Sequence, residues 1–287
     1  MFVDNSWYSH RKVLAEYCNV KDRPVYASIQ HGWFKILDSE VPNLKISKIP
    51  GNNFLCWSKT VEKQYKKNNL DNIVTIGAPF IYLYDDFNDK TKIDRETLIF
   101  PPHTGELEGR PSNFKSHKEL IDYVNNKYDG PFSVCLYYQD MKDDIIKLYN
   151  KENWKIFSCG NRINDNFLMN FIKIVSRHEN VLVCEMTSAY LYALYMKKNV
   201  KIIHEFSNKM INRTFRASII KDNLWNYYSE YFPFFNNETN FTKKIEHVKF
   251  ELGCSNKKSK KELKDLLGWN NTSKKIFSYL LHKIKKI

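Results

Sequence analysis

From residue 97 onward, short apolar runs alternate with longer segments in which apolar positions recur at helical spacing. The first pattern suits a strand buried on both faces, the second a helix with one covered face. Read in order, it predicts strands over 97–100, 132–138, 154–157, 180–184 and 200–204. Between them it predicts helices near 117–126, 141–149, 165–177 and 188–198. Parallel neighbours need a crossover connection, so five strands joined by four helices through short loops specify a doubly wound parallel sheet. The stretch 157–205, FSCGNRINDNFLMNFIKIVSRHENVLVCEMTSAYLYALYMKKNVKIIHE, is the clearest part, with two consecutive strand–helix crossovers.

The earlier chain has the same order with fewer elements. A short helix is expected over 6–18, and Pro24 opens the strand VYASIQHGW. Pro42 and Pro50 break the following piece. A strand over 54–57 leads to Ser58, whose hydroxyl suits the N-cap of the helix TVEKQYKKN. A further strand over 73–76 is stopped by Gly77-Ala78-Pro79, and the polar segment 85–96 reads as a linker. The expected architecture is α/β, two Rossmann-like domains with a cleft between them and the N-terminal one reduced. Residues 1–90 and 97–255 form the domains, and 256–287 form a basic helical tail.

Hydrophobic residues at 43% and aromatics at 15% exclude a disordered chain. No run of about 18 apolar residues is present, and the N-terminus lacks a basic-then-apolar secretory pattern, so a cytosolic protein is expected. Six cysteines without a C-x-x-C pair read as reduced, mostly buried thiols. Of the net charge of +13, the last 32 residues hold +8, from ten lysines against two acidic residues. In that tail Ile276, Phe277, Leu280, Leu281, Ile284 and Ile287 share one helical face. The pattern fits a helix lying in a membrane surface, or equally one packed on its own domain. Nucleic acid is disfavoured, because the body carries no basic stripe or binding motif.

Candidate chemistry gathers in the loops that follow strands, where parallel sheets bind ligands. Thr187 and Ser188 open a helix, so free backbone amides and two hydroxyls form an anion site, or simply a cap. Cys159-Gly160-Asn161-Arg162 offers a glycine that permits close backbone approach and a planar guanidinium suited to phosphate. In Pro101-Pro102-His103-Thr104, the stiff prolines hold a histidine and a hydroxyl at the same edge. Gln30-His31-Gly32 ends the first strand, and His31 is the best candidate for a general base, the alternative being a histidine buried in a tight turn. Asp85, Asp86 and Asp89 read as solvated acids, and no metal or cofactor is expected.

The chain resembles bacterial glycosyltransferases of capsular and lipopolysaccharide (surface polysaccharide) biosynthesis with the GT-B architecture. QHG at 30–32 is similar to an acceptor-side His-Gly element. LIFPPHTGE at 98–106 is similar to an F-P-x-H-S/T element. Gly160, Arg162, Asp165, Phe167 and Leu168 match a G-x-R-x-D-x-x-F-L pattern. TSAYLYALYMKKNVKII resembles a donor-phosphate helix through Ala193, Leu194, Lys198 and Val200, although Lys198-Asn199 stands where that pattern carries a glycine. The resemblance covers roughly residues 24–206. It implies two Rossmann-like domains facing across a cleft and metal-independent transfer from a nucleotide sugar to a glycan or lipid-linked acceptor. His31 would be the base, with Gln30 and Gly32 beside the acceptor. His103, Thr104, Gly160, Arg162, Thr187 and Ser188 would hold the donor phosphates, and the tail would seat the enzyme on the inner membrane face. An alditol-phosphate or pyruvyl transferase on the same fold is the rival reading. A basic protein binding nucleic acid or membrane is the non-enzymatic one.

Overall fold

The computed structural model describes residues 7–21, 25, 27–33, 53–67, 72–88, 92–102, 114–184, 187–203 and 240–270. The protein is α/β with two parallel sheets, and it divides into two compact units. The first comprises Met1–Phe87 and Lys249–Ile287, the second Asn88–Val248.

In the second unit the strands are β4 (Thr97–Phe100), β5 (Phe132–Cys135), β6 (Lys155–Phe157), β7 (Asn180–Val183) and β8 (Asn199–Ile202). They lie in the order β6-β5-β4-β7-β8, every pair parallel. The crossovers are α4 (Phe114–Lys127), α5 (Asp143–Lys151), α6 (Phe167–Ser176) and α7 (Ser188–Tyr195). Strand side chains alternate between faces, and the core divides accordingly. Ile99, Phe132, Val134 and Leu182 pack with Leu120, Ile121 and Val124 of α4 and Ile145 and Tyr149 of α5. On α6, Phe171 meets Phe100 at 5.6 Å between ring centroids and Tyr192 of α7 at 5.7 Å. The central strands β5, β4 and β7 are therefore covered on both sides and read as mainly apolar runs, whereas the edge strand β8 leaves Asn199 and Lys201 exposed.

The first unit contains α1 (His10–Tyr17), β1 (Ala27–Ile29), β2 (Asn53–Cys56), α2 (Lys59–Lys67), β3 (Ile73–Thr75) and α3 (Pro79–Tyr84). Its three strands are parallel in the order β1-β2-β3. Val61 and Tyr65 of α2 pack on Phe54, Cys56 and Ile73. Beneath the same helix, Glu62 accepts hydrogen bonds from Lys59, Lys66 and Thr75. The helix α3 begins at the proline expected to stop the strand. Pro79 occupies the first helical turn, where its missing N–H costs nothing and its fixed φ is already helical.

The chain returns to the first unit through α8 (Phe241–Glu251), followed by α9 (Lys260–Leu266). Ser259 and Glu262 form a reciprocal capping box at the start of α9. Leu263, Leu267 and Trp269 are buried, so this part of the basic tail is packed structure. Tyr17 OH donates to the Lys258 carbonyl (3.3 Å), and Tyr82 OH accepts from the Lys258 amide (2.7 Å), which ties the segment to α1 and α3. The amphipathic stretch 274–287 lies outside the described residues. Among those residues, no helix is long and apolar enough to cross a membrane. All six cysteines are free thiols, five of them buried.

Candidate functional site

The strand order of the second unit locates its ligand edge. Connections from β4 run outward through β5 to β6, whereas β7 lies on the other flank of β4, so the order reverses between β4 and β7. In open α/β sheets ligands bind outside the carboxyl ends of the strands at such a reversal. The two strands stay joined to their ends, where the Cys184 amide donates to the Phe100 carbonyl (3.1 Å), and then part. Pro101 and Pro102 continue from β4, whereas His103 and Thr104 lie outside the described residues.

From β7 the chain reaches Thr187, the N-cap of α7. Its backbone is extended and its hydroxyl makes no capping hydrogen bond. The first-turn amides of α7 and the half-buried side chains of Thr187 and Ser188 therefore stand at the reversal point. A helix start whose N-cap hydroxyl makes no capping bond is suited to an anion through the positive end of the helix dipole, although the Tyr190 amide already donates to the Thr187 carbonyl (3.1 Å).

The loop after β6 belongs to the opposite flank. Gly160 has φ +88°, and a Cβ there would stand 2.7 Å from Asn164 Nδ2. Glycine is thus required by the loop itself, with no ligand invoked. Asn170 Nδ2 donates to the Cys159 carbonyl (3.3 Å), and Asn161 Oδ1 accepts from the Ile163 amide (3.2 Å), fixing the turn that carries the half-buried Arg162. Three strand positions separate β6 from β7, roughly 14 Å at the usual spacing. Thr187 and Ser188 are thereby grouped with the end of β4, and the loop carrying Arg162 lies on the far flank of the sheet.

In the first unit the described residues at the carboxyl edge come from all three strands and from the returning chain. Leu252 accepts from the Ala78 amide (2.8 Å), and Gly253 sits against Trp57 and Gly77, so the chain leaving α8 crosses the ends of β2 and β3. At the end of β1, Gln30 is 1% exposed and its polar atoms are committed to the fold. Its Oε1 accepts from the Trp57 amide (2.9 Å), its Nε2 donates to the Gly32 carbonyl (2.9 Å), and its carbonyl accepts from Trp57 Nε1 (3.0 Å). Gln30 is therefore a brace for the turn. His31 is exposed, which removes the alternative of a buried turn histidine, and its ring lies edge-on to Trp7 (5.3 Å) and stacked near Tyr8 (6.4 Å). Gly32 is half-buried.

Two neighbours of this edge are not apparent from the motifs. Glu251, 3% exposed, accepts from Trp33 Nε1 (3.0 Å) and Thr60 Oγ1 (2.9 Å) and so joins the β1 loop, the first turn of α2 and the end of α8. Burial raises its pKa against those two hydrogen bonds, which lower it. The sequence signal was a glutamate in line with Lys244 and Val248 on the covered stripe of α8.

The second neighbour is His10, buried against Trp57. Burial, and secondarily the nearby His31, lowers its pKa to about 3 against a hydrogen bond to the Gln30 backbone. The unfolded chain binds a proton at His10 near pH 6.5, whereas the folded one does not until about pH 3. Stability is therefore complete above pH 6.5 and declines on acidification toward pH 3, by up to about 1.4 kcal/mol per pH unit from this group. Urea unfolding of wild type and His10→Asn between pH 7 and 4 measures the effect. The variant should lose less stability over that range, and equal losses would remove His10 as the cause.

No protein-family model matches the chain, and no curated protein matches it in sequence.

Proposed function

We propose that this protein is a glycosyltransferase moving a sugar from a nucleotide-activated donor to a surface polysaccharide or lipid-linked glycan, with the GT-B arrangement that its motifs resemble. The observation that carries the reading is the strand order β6-β5-β4-β7-β8, whose reversal falls between the two loops bearing the PPHTGE and TSAYLYALY motifs. The resemblance and the sheet topology both support this edge as the donor side.

In this reading the amides of α7 with Thr187, Ser188, His103 and Thr104 receive the donor diphosphate. Gly160 shapes the loop from which Arg162 approaches. These groups act by stabilising the charge that develops on the departing nucleotide. His31, exposed at the β1 edge, takes the proton from the acceptor hydroxyl as it attacks the anomeric carbon. The transfer uses no metal. The acceptor lies at the inner membrane face, to which the basic C-terminal tail, 256–287, brings the enzyme.

Calorimetry against CMP-, CDP-, UDP- and GDP-linked compounds tests the donor. Saturable binding confined to one nucleotide class is expected. Binding only to nucleic acid, weakening steeply with salt, would replace the transferase by a nucleic-acid-binding protein.

A further inference from the structure

The opposite edge of the five-stranded sheet carries a second cluster, made by the residues that enter β4 and β7. Asp94 and His178 are neighbours in an isolated parallel bridge, and the Asp94 amide donates to the Arg177 carbonyl (2.6 Å). Glu96 follows two residues on. One ligand atom from each of Asp94, Glu96 and His178 lies within 4.8 Å of the other two. These residues fall in what the sequence pattern suggests is a plain linker and in the turn before β7.

Each side chain is anchored by its outer atom. His178 Nδ1 is 2.7 Å from the Ile174 carbonyl, which can only accept, so Nδ1 carries the proton and Nε2 turns its lone pair inward. Lys155 holds Glu96 Oε1, and Arg177 Nε donates to Asp94 Oδ2 (3.1 Å). A metal ligand is oriented in the same way, by a second partner on its far atom.

The inner atoms are less well served. Glu96 Oε2 is buried without a hydrogen-bond partner, and the group 4.0 Å from it is His178 Nε2, another acceptor in this tautomer. Ser133 Oγ donates to Nε2 (2.9 Å) in this tautomer and leaves the carboxylate oxygen without a partner. Lys155 and Arg177 are about half exposed (58% and 47% of their side chains) and work from the outside. The orphaned Glu96 oxygen stands beside a second carboxylate and an imidazole nitrogen held only by a rotatable hydroxyl, a donor set that calls for a cation.

We propose that Asp94, Glu96 and His178 bind one divalent first-row metal ion. Two carboxylates and one imidazole suit Mn²⁺, Fe²⁺ or Zn²⁺. Ligand atoms bind such ions at about 2.0–2.2 Å, so the three close inward by up to about 1 Å, within reach of small side-chain rotations. The ion is structural. It fastens together the amino ends of β4 and β7, the two strands whose carboxyl ends flank the reversal point. The inference does not depend on the proposed transferase activity.

Chelator-treated protein titrated with Mn²⁺ alone tests it, because the paramagnetic resonance signal of free aqueous Mn²⁺ disappears on binding. One ion per chain should bind saturably, be displaced by Zn²⁺ and raise the unfolding temperature. Glu96→Gln keeps the shape and removes the anionic ligand, so it should weaken Mn²⁺ binding at least tenfold. Asp94→Asn should do likewise, whereas Asp85→Asn, at an acid already paired with Lys257 (2.8 Å), should leave binding unchanged. Absence of saturable binding to the wild type, or equal binding by Glu96→Gln and the wild type, would overturn the proposal.

Discussion

Gly253→Ala is expected to unfold the first unit. Gly253 has φ +68°, and a Cβ added there would lie 1.8 Å from the carbonyl oxygen of Trp57, 2.8 Å from its carbonyl carbon and 3.0 Å from Gly77 Cα. All three are backbone atoms, so no side-chain rotation relieves the contact. Trp57 in turn is 0% exposed and held through its amide and its indole by Gln30. Gly77, at φ +81°, is confined by the Gly253 carbonyl and the Ile81 side chain. The returning chain could accommodate a methyl group only by lifting off the ends of β2 and β3, which would break the Ala78–Leu252 hydrogen bond and expose Leu252.

The left-handed conformation alone costs alanine roughly 1 kcal/mol. Displacement of packed backbone brings the total above about 4 kcal/mol, a large share of the stability of a small domain. Urea unfolding followed by tryptophan fluorescence should lose the cooperative transition of the unit that contains Trp33 and Trp57. A loss below about 1 kcal/mol would mean that Leu252-Gly253 is not seated between β2 and β3.

The parallel architecture was legible because strands covered on both faces are largely apolar, as Leu98-Ile99 and Val181–Val183 are, and as Phe132–Cys135 is apart from Ser133. The starts of α2 and α7 were legible at Ser58 and Thr187, but the expected cap of α2 is absent: Ser58 Oγ is buried without a hydrogen-bond partner, and Thr187 makes no side-chain cap bond. The strand does end before Gly77-Ala78-Pro79, but the helix that Pro79 opens went unread, because proline also suits the first turn of a helix. The partners of Glu251 were out of reach, since Trp33 is 218 residues away along the chain and Thr60 is 191. Asp94 and Glu96 looked like linker acids because nothing local announces that the turn before β7 will bring His178 beside them. Gln30 looked like a cleft residue, and only the position of Trp57 reveals it as a brace. Gly160 had a true signal, and its left-handed backbone (φ +88°) accounts for the glycine without a ligand.

His31 carries the central claim and the largest expected functional effect. Its ring is exposed at the end of β1 and held by contact with the Trp7 and Tyr8 rings, so truncation removes the imidazole without opening a buried cavity. The residues that brace the turn, Gln30 and Trp57, remain in place. Loss of a general base typically lowers a rate by 10² to 10⁴-fold. The proposed donor edge belongs to the other unit, so on this account nucleotide affinity should not change. The decisive measurement compares wild type and His31→Ala in sugar transfer from the nucleotide donor that calorimetry identifies, and in binding of that same nucleotide. The account predicts transfer reduced at least a hundredfold with nucleotide binding retained; loss of both, or of neither, contradicts it.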